Sequence, residues 1–280
     1  STLNYTSDAI KRIYGIGQGS KAGPVTWAAV SSLLFEAQDI LGVGLTYQNP
    51  NRTITHKRHS DGFVDDTTTY HALLAWLRAT PSLKTVFDGL LKDAQTWERL
   101  LWTSGGLLSL EKCAFWILCW KFNADGRGVL MTKAELEAPP MLLTTGDTGE
   151  LQEVQQLDLH DPFKTLGINK TISGDQQSQI TKMKTTSDAY ARGILSVSVK
   201  HFEAWTGLFT LWFGQMNYPL SATSLSNKSC KKIQSRAINA SLTKCGFSRK
   251  MDRAVVFGSP WFGGMGWRHL YCEQGIKKVL

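Results

Sequence analysis

The hydrophobic pattern changes character near residue 170, and that change bounds the fold. Before it, short β-prone runs alternate with two stretches of helical spacing; after it, helical spacing dominates. From Thr26 to Leu41 the apolar residues Trp27, Val30, Leu33, Leu34, Ile40 and Leu41 predict a buried helix, opened by Pro24 at its first turn. Pro81 to Trp102 reads as an amphipathic helix with Val86, Leu90, Ala94, Trp97 and Leu101 on one stripe, ended by Gly105-Gly106. The runs Thr53–His56, Gly62–Val64 and Thr67–Tyr70 are rich in residues that suit a pleated surface and predict a hairpin. A strand is expected from Cys113 to Phe122, a surface excursion over 133–156, and a strand running into a turn from His160 to Ile168. Ser173 and Gln176 have the spacing of a capping box, followed by helical spacing to Trp212. A second helix is expected from Ser229 to Lys244, with Ile233, Ala237 and Leu242 inward. A turn-rich aromatic segment from Phe262 to Trp267 and a short last helix close the pattern. The expected class is α+β, with a boundary near residue 170.

Charge divides the chain at nearly the same place. Residues 1–160 hold 14 Lys and Arg against 17 Asp and Glu, whereas residues 161–280 hold 17 against 6, a net of +11. Such an excess on one half favours a polyanionic partner over a merely solubilising surface, and nucleic acid fits because each neutralised phosphate releases counterions. Lys228, Lys231, Lys232 and Arg236 fall on one helical face, joined by Arg249, Lys250 and Arg253, and are expected to touch template–primer phosphates. The five cysteines form no CxxC pair, which argues against zinc and against a disulfide framework. The longest apolar stretches are too short to span a bilayer, which needs about 20 residues. With no signal peptide evident, the expected setting is intracellular, nucleus or cytoplasm, without a membrane partner. His56 and His59 lie three apart beside a β-prone run, and surface polarity is the expected role rather than metal binding.

The sharpest chemical signal is Asp65-Asp66, adjacent carboxylates where a tight turn would sit. Paired carboxylates can hold Mg2+, which favours carboxylate oxygens together with substrate phosphates. A bare Asp-Asp pair is far more often a polar turn, so its surroundings decide. Phe63-Val64-Asp65-Asp66 has the aromatic-x-Asp-Asp form of motif C of reverse transcriptases. Upstream, Gly17-Gln18-Gly19-Ser20 with Gly23-Pro24 and Trp27 resembles their motif B. Downstream, Gly105-Gly106-Leu107 with Lys112-Cys113 resembles motif D, and Phe163-Lys164-Thr165-Leu166-Gly167-Ile168 resembles motif E. Ile233-Gln234 within a helix, then Gly263-Gly264-Met265-Gly266, is similar to the thumb and downstream region of LINE-like, non-LTR retroelement enzymes. The four motifs occur in the family's order over nearly the whole chain.

The resemblance implies a right-hand polymerase fold: a partial palm, an antiparallel sheet with packed helices, over 1–170, then a basic helical thumb over 171–280. It implies RNA-directed DNA synthesis from an RNA template, a DNA primer and deoxynucleoside triphosphates, with two Mg2+ ions. Asp65 would be the principal metal ligand and Asp66 its weaker partner. Phe63 and Val64 would lie under the primer terminus, and Gln18, Gly19 and Ser20 near the incoming nucleotide and template. Lys112 would approach the triphosphate as a proton donor, with a solvated strand-end lysine as the equal alternative. Leu166 and Gly167 would form the primer grip. The chain departs from the family in Gly17 where proline is usual, Gly23 where serine is usual, and the missing asparagine before Lys112. Only sixteen residues precede Gly17, with Asp8 their one carboxylate. The expectation is therefore that fingers and the motif A aspartate are absent and that the chain alone is a poor catalyst. The alternatives are a non-catalytic nucleic-acid-binding remnant of a decayed retroelement, an RNA-templated RNA polymerase, and an unrelated structural protein.

Overall fold

The computed structural model describes residues 21–51, 53–63, 66–72, 82–146 and 149–279, and of Phe63 the backbone alone. The chain forms two compact units, Ser1–Leu159 and His160–Leu280. The hairpin around Leu166 thus sides with the later residues, ahead of the boundary expected from the sequence.

The first unit runs α1 (Gly23–Leu41), β1 (Leu45–Gln48), β2 (Thr55–Arg58), β3 (Ser60–Phe63), β4 (Asp66–Thr69) and α2 (Leu83–Thr103). A 3₁₀ turn (Leu110–Lys112), β5 (Ala114–Phe115), β6 (Trp120–Phe122), β7 (Gly128–Leu130), α3 (Lys133–Leu136), β8 (Met141–Thr145) and β9 (Glu150–Gln156) follow. Pro24 sits in the first turn of α1, where its missing N–H costs nothing. The Ser82 hydroxyl caps α2 by accepting from the Thr85 N–H. Gly105 adopts φ 86° just past α2, and the Gly106 N–H donates to the Leu101 carbonyl at 2.8 Å, so the two glycines do stop the helix.

Strands pair as hairpins β1–β2, β3–β4 and β6–β7, and as a three-stranded sheet in which β9 lies between antiparallel β8 and parallel β5. Phe87, Leu110, Phe115, Ile117, Leu136, Met141, Leu143 and Val154 form its core. This corrects the expected surface excursion: residues 133–156 supply Leu136, Met141, Leu143 and Val154 to that core. In Met141-Leu142-Leu143 only the middle residue faces out, a period-two signal short enough to be hidden behind Pro139-Pro140. The expected strand from Cys113 to Phe122 is two strands, because Trp116 to Cys119 leave the ladder. The expected inward face of α1 is also corrected. Leu33, Ile40 and Leu41 are exposed, while Leu34 and Gln38 are buried.

The second unit runs β10 (Phe163–Thr165), β11 (Ile168–Lys170), α4 (Gln177–Ser196), α5 (His201–Gly207), a π-helical turn (Leu208–Phe213), α6 (Gly214–Leu220), α7 (Asn227–Lys244), α8 (Arg253–Phe257), a 3₁₀ turn (Pro260–Phe262) and α9 (Leu270–Val279). The expected capping box is not formed: Gln176 is the N-cap without a side-chain cap, and the Ser173 hydroxyl instead accepts from Asp175 N–H at 3.4 Å. The expected helix to Trp212 breaks after Ser196 and resumes at His201. The core lies between α4 and α7, where Met183, Ala191 and Ile194 meet Ile233, Ala237, Ile238 and Leu242, sealed by Trp212 and Trp267. The buried Ser187 hydroxyl donates to the Ile233 carbonyl at 2.6 Å and accepts from the Trp212 indole N–H at 3.0 Å, joining three elements at one atom. No helix among the described residues is long and apolar enough to cross a membrane.

Candidate metal hairpin and nucleic-acid interface

In the first unit, β3 and β4 form the hairpin that the β-prone runs predict, with Phe63 opposite Asp66. Val64 and Asp65 lie outside the described residues, as do Gln18, Gly19 and Ser20. Asp66 opens β4 with its side chain exposed. The hairpin rests on α1 through Gly62. A Cβ there would stand 2.3 Å from Phe35 Cζ, and Phe35 in turn stacks on Trp97 of α2 with ring centroids 5.1 Å apart. Asp61 faces Arg58 and accepts from the Tyr70 hydroxyl at 2.9 Å. Burial opposes its ionisation, but these two partners outweigh burial and hold its carboxyl below the usual range. Lys112 ends the 3₁₀ turn, exposed, rather than a strand. Among the described residues no hydrogen bond or ion pair joins it to Asp66.

Asp66 suits a magnesium ion in donor chemistry, an exposed carboxylate with no described cation paired to it. No group of three His, Cys, Asp or Glu able to hold a metal occurs among the described residues.

Sequence reasoning missed the polar hub behind this hairpin. Asp93, buried in α2, accepts from the N–H groups of Val43 at 3.0 Å and Gly44 at 3.3 Å, and its Oδ2 lies 2.8 Å from His71 Nδ1. Its burial raises the pKa, yet the His71 and backbone hydrogen bonds outweigh burial and hold the carboxyl below its ordinary value. Gly89 makes this possible: a Cβ there would meet His71 Nε2 at 2.1 Å. A glycine in mid-helix costs about 1 kcal/mol against alanine, and it was the sequence-level sign of a close approach. His59 corrects the expected surface polarity, being 4% exposed with Nδ1 2.5 Å from Asp39 Oδ1. His56 is exposed, as expected.

In the second unit, Leu166 and Gly167 are the two-residue turn of the β10–β11 hairpin, between Thr165 and Ile168. Both have positive φ, 49° and 79°, the conformation of a hairpin turn that favours Asn-Gly. Leucine there costs roughly 1–2 kcal/mol. The turn is pinned from outside: the Tyr218 hydroxyl of α6 donates to the Leu166 carbonyl at 2.7 Å, and Lys182 of α4 donates to the Gly167 carbonyl. Leu166 is 38% exposed, so a strained backbone holds an apolar side chain toward solvent.

The basic face forms as the helical spacing predicts. Cys230, Ile233, Gln234, Ala237, Ile238 and Leu242 of α7 are buried. Lys228, Lys231, Lys232, Ser235 and Arg236 are exposed along the opposite side. Asn227, Lys228, Lys231, Lys232 and Ser235 line an open groove of about 520 Å3. The stripe continues because Arg253 of α8 donates to Asn239 Oδ1, and Arg249 donates to Thr243 Oγ1 at 2.9 Å. Lys250, between them, is exposed. Arg236 pairs with Asp188 at 3.2 Å. Among the described residues no carboxylate pairs with Lys228, Lys231, Lys232, Arg249, Lys250 or Arg253. From Lys228 to Thr243 the stripe runs about 22 Å at 1.5 Å per residue, the axial rise of some six base pairs. Burial and the charge of Lys231 together lower the pKa of His269 behind it. All five cysteines are free, and burial pushes the Cys230 thiol up to about 11, which leaves it inert.

No protein-family model, curated protein or solved structure matches this chain.

Proposed function

We propose that this chain is part of an RNA-directed DNA polymerase of a LINE-like retroelement, with a partial palm followed by a thumb that holds the template–primer duplex. The observation that carries the duplex-binding half is the row of exposed cations along α7, extended by Arg249, Lys250 and Arg253, that no carboxylate among the described residues neutralises apart from Asp188 at Arg236. The polymerase half rests on the order of the four motif-like segments in the sequence.

In this reading Asp65 and Asp66 hold magnesium at the tip of the β3–β4 hairpin. Bound magnesium would supply the charge that activates a primer 3′-hydroxyl and steadies departing pyrophosphate. Lys112 donates a proton to that leaving group. Leu166 and Gly167 press the primer strand from a turn whose shape Tyr218 and Lys182 fix. Lys228, Lys231, Lys232, Arg236, Arg249, Lys250 and Arg253 neutralise backbone phosphates.

The test is fluorescence anisotropy on an RNA template–DNA primer duplex between 50 and 300 mM KCl. Replacing Lys228, Lys231 and Lys232 together by Gln should flatten the plot of log K against log salt by about 2.7, at roughly 0.9 for each phosphate left without its lysine. An unchanged slope would remove these lysines from the interface. Duplex binding with no magnesium-dependent primer extension, once a complementing fingers segment is supplied, would favour the non-catalytic remnant instead.

A further inference from the structure

The second unit carries two large aromatic side chains that its own fold does not use. Trp261 is 93% exposed and Phe262 is 92% exposed, side by side on the 3₁₀ turn after α8. Exposed apolar residues scattered singly need no explanation, but adjacent aromatics held clear of the protein mark a contact surface.

The turn that presents them is stiff. The Ser259 hydroxyl accepts from the Trp261 N–H at 3.3 Å, and the Gly263 and Gly264 N–H groups donate to the Pro260 and Ser259 carbonyls at 3.1 and 3.0 Å. Below the tip, Met265, Gly266 and Trp267 donate to the carbonyls of Val255, Gly258 and Val256 at 2.8, 2.8 and 3.0 Å. The two legs approach so closely that a Cβ on Gly264 would stand 2.3 Å from the Gly258 carbonyl oxygen. Gly263 turns at φ 78°. Backbone and glycines therefore set the shape, and the rings ride on a frame that exists without them.

The same frame is attached to the basic stripe. Val255 and Val256, which receive the ladder, belong to α8, and Arg253 at the head of α8 reaches Asn239 of α7. From Arg253 to Trp261 the chain spans at most about 18 Å, one short helix and three extended residues. The tip from Gly258 to Trp267 bears no charge of its own, and the cations nearest in the chain form a line rather than a ring around it. A line of cations ending in an uncharged pair of rings suits a strand with phosphates along one edge and bases along the other. It suits a flat anionic lipid surface less well.

We infer that Trp261 and Phe262 are a stacking platform for unpaired bases of a nucleic-acid strand whose phosphates run onto Arg253 and the α7 cations. The inference rests on the nucleic-acid reading above. Because every base has a π-face, the platform selects for single-strandedness and not for sequence.

The experiment compares the full chain with a Trp261→Ala/Phe262→Ala variant by anisotropy on three probes: a blunt duplex, the same duplex with an eight-nucleotide single-stranded extension, and vesicles of phosphatidylserine and phosphatidylcholine. Both side chains are exposed, so the variant should keep its melting temperature. Affinity for the extended duplex should fall by about 5- to 150-fold per base unstacked. Blunt-duplex affinity and the salt slope on both duplexes should stay as in the wild type, since no charge is removed. Equal loss on blunt and extended duplex, or no loss on either, overturns the platform while leaving the basic face standing. Loss confined to the vesicles assigns the tip to a lipid surface and also overturns it. A wild type that binds neither duplex at 50 mM salt sinks the parent reading and the platform with it.

Discussion

Replacing Asp93 by Asn changes one atom and reverses its hydrogen-bonding sense. The carboxylate accepts from three donors: Val43 N–H on Oδ1, and Gly44 N–H and His71 Nδ1 on Oδ2. An amide keeps one oxygen and presents an NH2 where the other stood, so at least one buried donor faces a donor. A hydrogen bond to a charged acceptor contributes about 1.5–3 kcal/mol, and a buried donor left unpaired costs about 1–3 kcal/mol. The two effects overlap, giving a loss of roughly 2–4 kcal/mol for the segment that links α1 to β1. At 1.4 kcal/mol per tenfold, amide hydrogen exchange at Val43 and Gly44 should accelerate by about 30- to 1000-fold. The acid dependence has a defined sign. Because the folded pKa of Asp93 lies below its ordinary 3.8, its contribution is whole above that value and is lost as the pH falls through the lowered one. The protection difference between wild type and variant should therefore hold above pH 4 and shrink below it. Exchange at Val43 and Gly44 unaltered by the substitution, or a difference that grows in acid, would refute the hub.

Two further outcomes follow from single atoms in the second unit. Ser187→Ala removes the acceptor of the Trp212 N–H and the donor to the Ile233 carbonyl in one step, so denaturant unfolding should show a loss of about 1–3 kcal/mol; a smaller loss would mean that the core relaxes around the gap. Leu166→Gly relieves a backbone conformation that costs about 1–2 kcal/mol against the roughly 0.5–1 kcal/mol of freedom that glycine brings to the unfolded chain. Its melting temperature should hold or rise while template–primer affinity falls, and a large drop in melting temperature would make Leu166 a packing residue rather than a grip.

How much of this was legible in the sequence depended on whether one residue or many carried the signal. Helices α2 and α7 and the acidic hairpin were visible, because repeated apolar spacing and clustered Thr, Val and Phe each report many times. The basic face of α7 was readable for the same reason: burial of Ile233, Ala237 and Leu242 leaves the lysines outside. Where the signal was a single contact, pattern reading gave little. Gln38 is buried because its side-chain amide finds the Asp93 carbonyl 3.2 Å away, and no periodicity foretells a polar partner fifty-five residues distant. Leu33 and Ile40 fit an apolar stripe yet lie on the open side of α1, since amphipathic spacing gives a face but not what covers it. The strain at Leu166 was likewise hidden, for Leu-Gly does not advertise the turn that Asn-Gly would. Asp66 was flagged by its neighbours in sequence, and its exposure at the head of β4 accords with a ligand's needs.

The π-helical turn from Leu208 to Phe213 bears on how this unit can change by heredity. It sits inside an unbroken helical run from His201 to Leu220, and π geometry accommodates one more residue than an α-helical turn does. Losing a single codon there would let the run relax to regular α-helix while turning everything after it by about 100°. Tyr218 would swing away from the Leu166 carbonyl, and the hairpin turn would lose its outer brace although neither residue had been altered. A one-residue deletion that most surface loops absorb would here disconnect two segments fifty-two positions apart, so the length of this stretch should be kept under selection more strictly than its composition.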